Sequence, residues 1–357
     1  MKSAALRLVE NDPPTILSVA TVVPRFRLDQ KDVAVAAAHV FDRQRSEIDR
    51  LMPVFENAGI ATRYSCVPIE WYFEPHGWRE RNRLYLDNAV DLLTTAAGDA
   101  LARAGRAQHD IAAVVVVSTT GIATPSLDAL LLNRLNLPPT ILRLPIFGLG
   151  CAGGVIGMSH AAALARTLPE GDVLFLAVEL CSVTFRRSDM SKSNIVGAAL
   201  FGDGASAVVI GRPGSSGIRL GSSGMHTWPD SLGVMGWVVE DDGLGVLFSR
   251  DIPTLVREDL RPAADAFLAR CGLARRDIAG LVCHPGGVKV LEALELAFGL
   301  PSGGMVEARG VLRDFGNMSA VTVLFVLQRM MERGLAGRHL MSALGPGFST
   351  GFHIIEA

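Results

Sequence analysis

The chain has 357 residues, 49% of them hydrophobic and 20% charged, a composition that supports a large globular core. A formal net charge of -2 with no basic stripe speaks against nucleic acid or an anionic membrane surface as a partner. The five cysteines (Cys66, Cys151, Cys181, Cys271, Cys283) contain no CxxC pair, which argues against zinc and a disulfide framework and for a reducing cytoplasm. The opening MKSAALRLVENDPP turns polar too early for a signal peptide, and no apolar run approaches the roughly 20 residues of a membrane span.

In chain order, the residues before about position 80 are irregular in pattern, with helical stretches near 28–40 and 45–58. An α/β alternation follows. The run 113–118 (AVVVVS) reads as a strand buried on both faces. It leads to a helix near 126–136, a strand near 141–147, a small-residue helix over 152–166, and strands at 173–180 and 205–211. The second half repeats the order: a helix near 254–270, a strand at 278–284, helices near 288–298 and 318–333, and strands near 339–344 and 348–355. This repetition predicts a duplicated α/β fold, with the junction in the Gly/Ser/Pro-rich stretch 212–224 and halves of 1–213 and 214–357.

Three polar residues stand at the ends of these elements. Cys151, in FGLGCAGG, follows a strand and opens a helix, where exposed amides and the helix dipole lower a thiol pKa. His284 ends the strand IAGLVCH and enters a glycine loop, the place where open α/β sheets put ligand and catalytic groups. Asn317, in DFGNMS, opens the helix of the second half that corresponds to the Cys151 helix. Taken singly, Cys151 could be an inert buried thiol and Asn317 a helix cap. Two equivalent helix N-termini facing a pseudo-twofold axis, with a histidine between them, would instead form one site.

The segments GCAGG, CHPGG, FGNMSA, LFGDGAS and ALGPGFST resemble the marker segments of the type III polyketide synthases, the chalcone and stilbene synthase family, from about residue 15 to the end. The resemblance implies a five-layered αβαβα thiolase fold, a homodimer with Thr124 near the subunit contact, and free CoA thioesters instead of a carrier protein. No cofactor or metal is implied, because acyl-CoA and malonyl-CoA are substrates. Cys151 resembles the acyl-carrying nucleophile, and His284 with Asn317 the pair that binds the thioester carbonyl. Phe201 resembles the aromatic gate between the CoA tunnel and the cavity, and Gly345, Pro346 and Gly347 the loop shaping the cavity wall. Thr119, Cys181, Thr184, Trp237, Val246 and Ser319 fall where cavity-lining residues are expected. Lys289 beside Gly287, and Arg50, are the expected CoA contacts. The cycle this implies begins with attack of a Cys151 thiolate, paired with a His284 imidazolium, on the starter acyl-CoA. Malonyl-CoA then loses CO2 to give an enolate held by His284 and Asn317, which attacks the acyl-enzyme.

Cys181, Trp237 and Val246 depart from the plant chalcone synthase pattern, and MGWVVEDDGLGVLFSRDIP looks like bacterial members that make alkylpyrones or alkylresorcinols from fatty acyl-CoAs. The rival readings are three. A ketoacyl-ACP synthase III would show a His-Gln-Ala-Asn-like run instead of His284-Pro285-Gly286-Gly287. A papain-type hydrolase would need a mostly β second domain. A non-catalytic acyl-CoA-binding protein would have no use for an intact Cys-His-Asn set.

Overall fold

The computed structural model describes residues 12–41 and 50–357. Nine strands form one mixed sheet in the order β11-β12-β13-β8-β1-β7-β6-β4-β5. The first half supplies β1 (Thr15–Val22), β4 (Ile111–Val117), β5 (Leu142–Ile146), β6 (Asp172–Leu180) and β7 (Asp203–Gly211). The second supplies β8 (Ile218–Thr227), β11 (Gly280–Cys283), β12 (Arg338–Gly345) and β13 (Ser349–Glu356). Two small antiparallel pairs stand apart, β2 (Phe26–Asp29) with β3 (Thr62–Ser65) and β9 (Met235–Glu240) with β10 (Gly243–Phe248).

The duplication is visible in the pairing. β4 runs parallel to β6, β6 antiparallel to β7, and β7 antiparallel to β1. In the other half, β11 runs parallel to β12, β12 antiparallel to β13, and β13 antiparallel to β8. The halves join along β1 and β8 at only two residue pairs, Thr15 with Arg219 and Ile16 with Ile218. The sheet therefore folds back on itself, and two helices fill the space between its arms. One is Gly153–Thr167, which packs on β4 and β6 and on β12 and β13; the other is Thr322–Glu332, which packs on β1 and β11. Small residues make this possible, since the first helix buries Gly153, Gly154, Gly157, Ala161, Ala162 and Ala165. Outside the first arm lies Trp78–Ala104, which meets β1, β6 and β7. Outside the second lies Arg261–Arg270, whose Phe267 stacks on Phe352 of β13 with ring centroids 5.3 Å apart. Helix, sheet, helix pair, sheet and helix make five layers.

The predicted strands and the helices from 126 onward are present within a few residues. Several elements were not predicted from the sequence: β1, the β2–β3 and β9–β10 pairs, the 27-residue helix Trp78–Ala104, and the helix Val306–Phe315. The predicted junction also changes character, because its second part becomes β8, held by pairing with β13. Of the helix expected near 45–58, residues 45–49 lie outside the described residues, and the described part holds a short helix, Pro53–Glu56.

Candidate active site

Cys151 lies in a single 3-10 turn, Gly150–Ala152, that leads directly into the helix Gly153–Thr167. Gly150 takes φ +47°, and a Cβ there would sit 2.6 Å from Pro346 Cδ. A Cβ on Gly154 would fall 2.2 Å from the Ala320 carbonyl oxygen. The glycines of GCAGG therefore let the Cys151 turn come down onto the turn Ser319–Val321, which opens the partner helix Thr322–Glu332. Asn317 stands two residues before that turn, held by its backbone. Its N–H donates to Leu200 O at 2.9 Å, and its carbonyl accepts from Gly202 N at 3.0 Å.

Two equivalent helix starts thus meet, and Asn317 joins the pieces. Its Nδ2 donates to Gly286 O at 3.2 Å, in the glycine loop after His284, and its Oδ1 accepts from Ser319 N at 2.9 Å. The side chains of Ser319 and Asn317 both act to lower the Cys151 thiol pKa. His284 follows β11, its N–H donating to Ser342 O at 3.0 Å. Its ring is buried, and among the described residues neither ring nitrogen has a hydrogen-bond partner. A buried imidazole with both nitrogens free is costly unless something fills the space beside it.

The electrostatics differ from the expectation of an imidazolium–thiolate pair. Cys151 is only 7% exposed, and burial pushes its thiol up to about 12 against the lowering effect of the Ser319 hydrogen bond. Burial likewise presses the His284 imidazole down to about 3. Burial thus disfavours the charged form of each group, thiolate and imidazolium alike.

One residue at this site escaped the sequence reading. Glu179, fully buried on β6, accepts from Thr119 N at 2.9 Å, Thr119 Oγ1 at 3.1 Å and Ser319 Oγ at 3.3 Å. Burial raises its carboxyl to about 7, and its charge raises the Cys151 thiol. A single acid inside the apolar run VLFLAVEL was the available signal, because a buried charge needs a reason.

The expected cavity residues separate into two groups. Cys181, Thr184, Phe201, Trp237 and Val246 line one cavity of about 80 Å³. Trp237 and Val246 face each other across β9 and β10, and the Phe201 ring lies 6.2 Å from Trp237 and 5.6 Å from Phe248. The rest of the lining was not predicted. It includes Leu28 of β2, Val33, Ala36, Ala37 and Val40 of the helix Gln30–Val40, and the polar Arg63, Tyr72 and Asn194. Thr119 and Ser319 instead bind Glu179 beside Cys151. Gly345, Pro346 and Gly347 lie outside the cavity lining; a Cβ on Gly345 would be 2.4 Å from Leu149 O, so this loop backs the Cys151 turn. Gly287 caps the helix Val288–Phe298, with Lys289 exposed on its first turn. Arg50 is exposed next to the undescribed residues 42–49.

Family models describe both halves of this architecture. The chalcone and stilbene synthase N-terminal domain matches residues 5–213, and the C-terminal domain matches residues 219–354. The chain belongs to the chalcone and stilbene synthase family. It is 39% identical over 351 residues to a Bacillus subtilis protein that carries the chalcone synthase name, covering 94% of this chain and 96% of that one. An alpha-pyrone synthesis polyketide synthase-like protein of Mycobacterium tuberculosis is 30% identical over 359 residues, covering 94% and 90%. The crystal structure of 1,3,6,8-tetrahydroxynaphthalene synthase from Streptomyces coelicolor, a bacterial type III polyketide synthase, superposes with a TM-score of 0.91 at 26% identity, over 96% of this chain and 98% of that one. The five layers are accordingly those of the thiolase-like fold, and this type III polyketide synthase is an acyl-transferring condensing enzyme. No helix among the described residues is long and apolar enough to cross a membrane.

Proposed function

We propose that this type III polyketide synthase loads a medium- or long-chain fatty acyl group onto Cys151, extends it with malonyl units, and closes the product as an alkylpyrone. The observation that carries this reading is the apolar part of the cavity lining contributed by Val33, Ala36, Ala37 and Val40, which share the cavity with Cys181 and Phe201. Alanine and valine offer an alkyl chain dispersion contact and the transfer energy of about 0.8 kcal/mol per buried methylene, while Arg63, Tyr72 and Asn194 add polar groups to the same lining.

In the proposed cycle His284 takes the Cys151 proton as the sulfur attacks the starter thioester, and CoA leaves. Malonyl-CoA then enters, and loss of CO2 leaves negative charge on its thioester oxygen. Donors from His284 and Asn317 stabilise that enolate, each worth about 3 kcal/mol when well aimed. The carbanion attacks the acyl-enzyme, and the lengthened chain returns to Cys151. Lactone closure needs only the chain's own enol oxygen, which attacks the thioester carbon and expels the Cys151 sulfur, so it favours a pyrone. Lys289, near Gly287, is the proposed phosphate contact, with Arg50 as a further cation. The exposed Ile122, Leu142 and Phe147 beside the edge strand β5 support a homodimer near Thr124. A division into halves near residue 213 and a cytoplasmic location, where CoA thioesters are supplied, complete the proposal.

The test is a panel of starters from acetyl-CoA to stearoyl-CoA with labelled malonyl-CoA, read by mass spectrometry. A yield that peaks at one chain length of six carbons or more is expected. Products primed only by acetyl or malonyl units would reject the fatty starter.

A further inference from the structure

The segment just before the cavity grips both supports of Asn317. Ala61 N donates to Arg313 O at 2.7 Å and Thr62 Oγ1 to Asp314 O at 2.7 Å, which ties down the C-terminal end of the helix Val306–Phe315 two residues before Asn317. The next residue, Arg63, holds the C-terminal end of the helix Lys192–Leu200. Its Nη1 donates to Ala198 O at 2.7 Å and Phe201 O at 2.8 Å, and its Nη2 donates to Ala199 O and to Gln30 Oε1. Gln30 adds a second hold, with Nε2 donating to Ala199 O at 3.1 Å.

This guanidinium is 4% exposed, and among the described residues no carboxylate forms an ion pair with it. Its partners are the orphan carbonyls of a helix C-terminus, where a cation is favoured by the dipole. Burying a cation this way is expensive, and hydrophobic packing would stabilise the same space at lower cost. What the arrangement fixes is the strip 198–202. That strip carries Phe201 as a side chain, and Leu200 O and Gly202 N hold Asn317 by its backbone. The fit is tight: a Cβ on Gly202 would lie 2.4 Å from Phe315 O, and one on Gly316 would lie 2.9 Å from Leu200 O.

We propose that Arg63 is a positioning residue of the decarboxylation and condensation steps, setting the register of the Asn317 amide through the Leu200–Gly202 strip. It rests on the function proposed above. Arg63 lines the acyl cavity but hydrogen-bonds neither the Cys151 turn nor His284, so decarboxylation is expected to suffer more than loading and the two half-reactions to separate. Lysine keeps the charge but not the planar fork that spans several carbonyls.

The experiment uses purified Arg63→Lys and compares two rates with those of the wild type. One is acylation of Cys151 by a starter acyl-CoA, followed by intact-protein mass. The other is CO2 release from malonyl-CoA at saturation. Loading within about 3-fold of wild type, with decarboxylation kcat reduced roughly 30-fold, is the expected split, since full loss of one such donor costs about 100- to 1,000-fold. Equal loss of both rates, or no change in either, would overturn the role of Arg63. Wild type that neither loads nor decarboxylates would overturn the functional reading and this proposal with it. If Arg63→Lys does not fold, Gln30→Ala, which removes one hold on Ala199 and one partner of Arg63, is expected to lower decarboxylation relative to loading by roughly 3-fold. An unchanged ratio there also rejects the proposal.

Discussion

Glu179 changes how the proposed nucleophile, Cys151, is understood. A helix N-terminus beside a histidine argues for a ready thiolate, yet the structure buries Cys151 and places an acid of pKa about 7 within its field. Burial is the larger cause of the raised thiol, and the carboxylate adds to it. In Glu179→Gln the charge is gone and the hydrogen-bonding shape is kept. Above pH 7, where Glu179 is ionised, alkylation of Cys151 by iodoacetamide is expected to quicken roughly tenfold relative to wild type. At pH 6 and below the two proteins should react alike, because Glu179 is then protonated. A rate profile from pH 5 to 9 measures this, and equal rates across the range would show that the charge does not reach the sulfur. Cys151, His284 and Asn317 were legible as residues because each ends an element in a glycine-rich segment. Their ionisation was not, since burial belongs to the packed chain and not to its local spacing.

At the scale of elements, the helix Gln30–Val40 has the clearest role beyond structure. Its Ala36 and Ala37 are buried and line the cavity together with Cys181 and Phe201. Ala36→Phe adds a ring to a space of about 80 Å³. Yield from long-chain starters is expected to fall roughly tenfold, while acetyl-primed products stay within about 2-fold, since overfilled apolar space costs about 1–3 kcal/mol. Unchanged long-chain products would place the alkyl chain elsewhere. A helix near 28–40 was readable, but its duty was not, because the wall it completes lies about 145 residues further along the chain.

The missed elements have similar causes. β1 sits at the centre of the sheet, yet its residues TILSVATV lie in a stretch whose surroundings lack a period. Trp78–Ala104 begins WRERNRLYLDN, and its buried face mixes Ala89, Ala96, Ala97 and Ala100 with Arg81, Tyr85, Leu92, Leu93 and Leu101, which weakens the apolar signal. β8 reads IRLGSSGMHT, which looks like a linker and becomes a strand because β13 offers a partner edge. By contrast, β4 and β6 were plain from continuous apolar runs, as strands with two covered faces should be.

For the whole molecule, buried ionisable groups set how stability follows pH. His284 and His353 are both pressed to about 3 by burial, whereas a histidine in the unfolded chain titrates near 6.5. Between those values the unfolded state binds more protons, so these two groups lose the fold stability as pH falls. Asp203 and Glu179 act in the other sense, raised by burial to about 6 and about 7. The folded state holds their protons more tightly, so their contribution falls as pH rises from about 4 to about 7. Two pairs of opposite slope overlap between about pH 4.5 and 6. The expected profile is a nearly flat Tm over that interval and a steep fall below about pH 4, where the histidines are joined by carboxylates lowered through arginine contacts, Glu295 and Asp314 among them. A Tm that fell steadily from pH 6.5 would mean that the two carboxyls ionise freely in the fold.

The central claim is that Cys151 carries the acyl chain. The most direct measurement is the intact-protein mass after brief incubation with a long-chain acyl-CoA and no malonyl-CoA. The predicted result is one adduct of the acyl mass per chain, mapped to the peptide containing Cys151 and absent in Cys151→Ala. An adduct that persists in Cys151→Ala, or that maps to Cys181 on the cavity wall, would contradict the account.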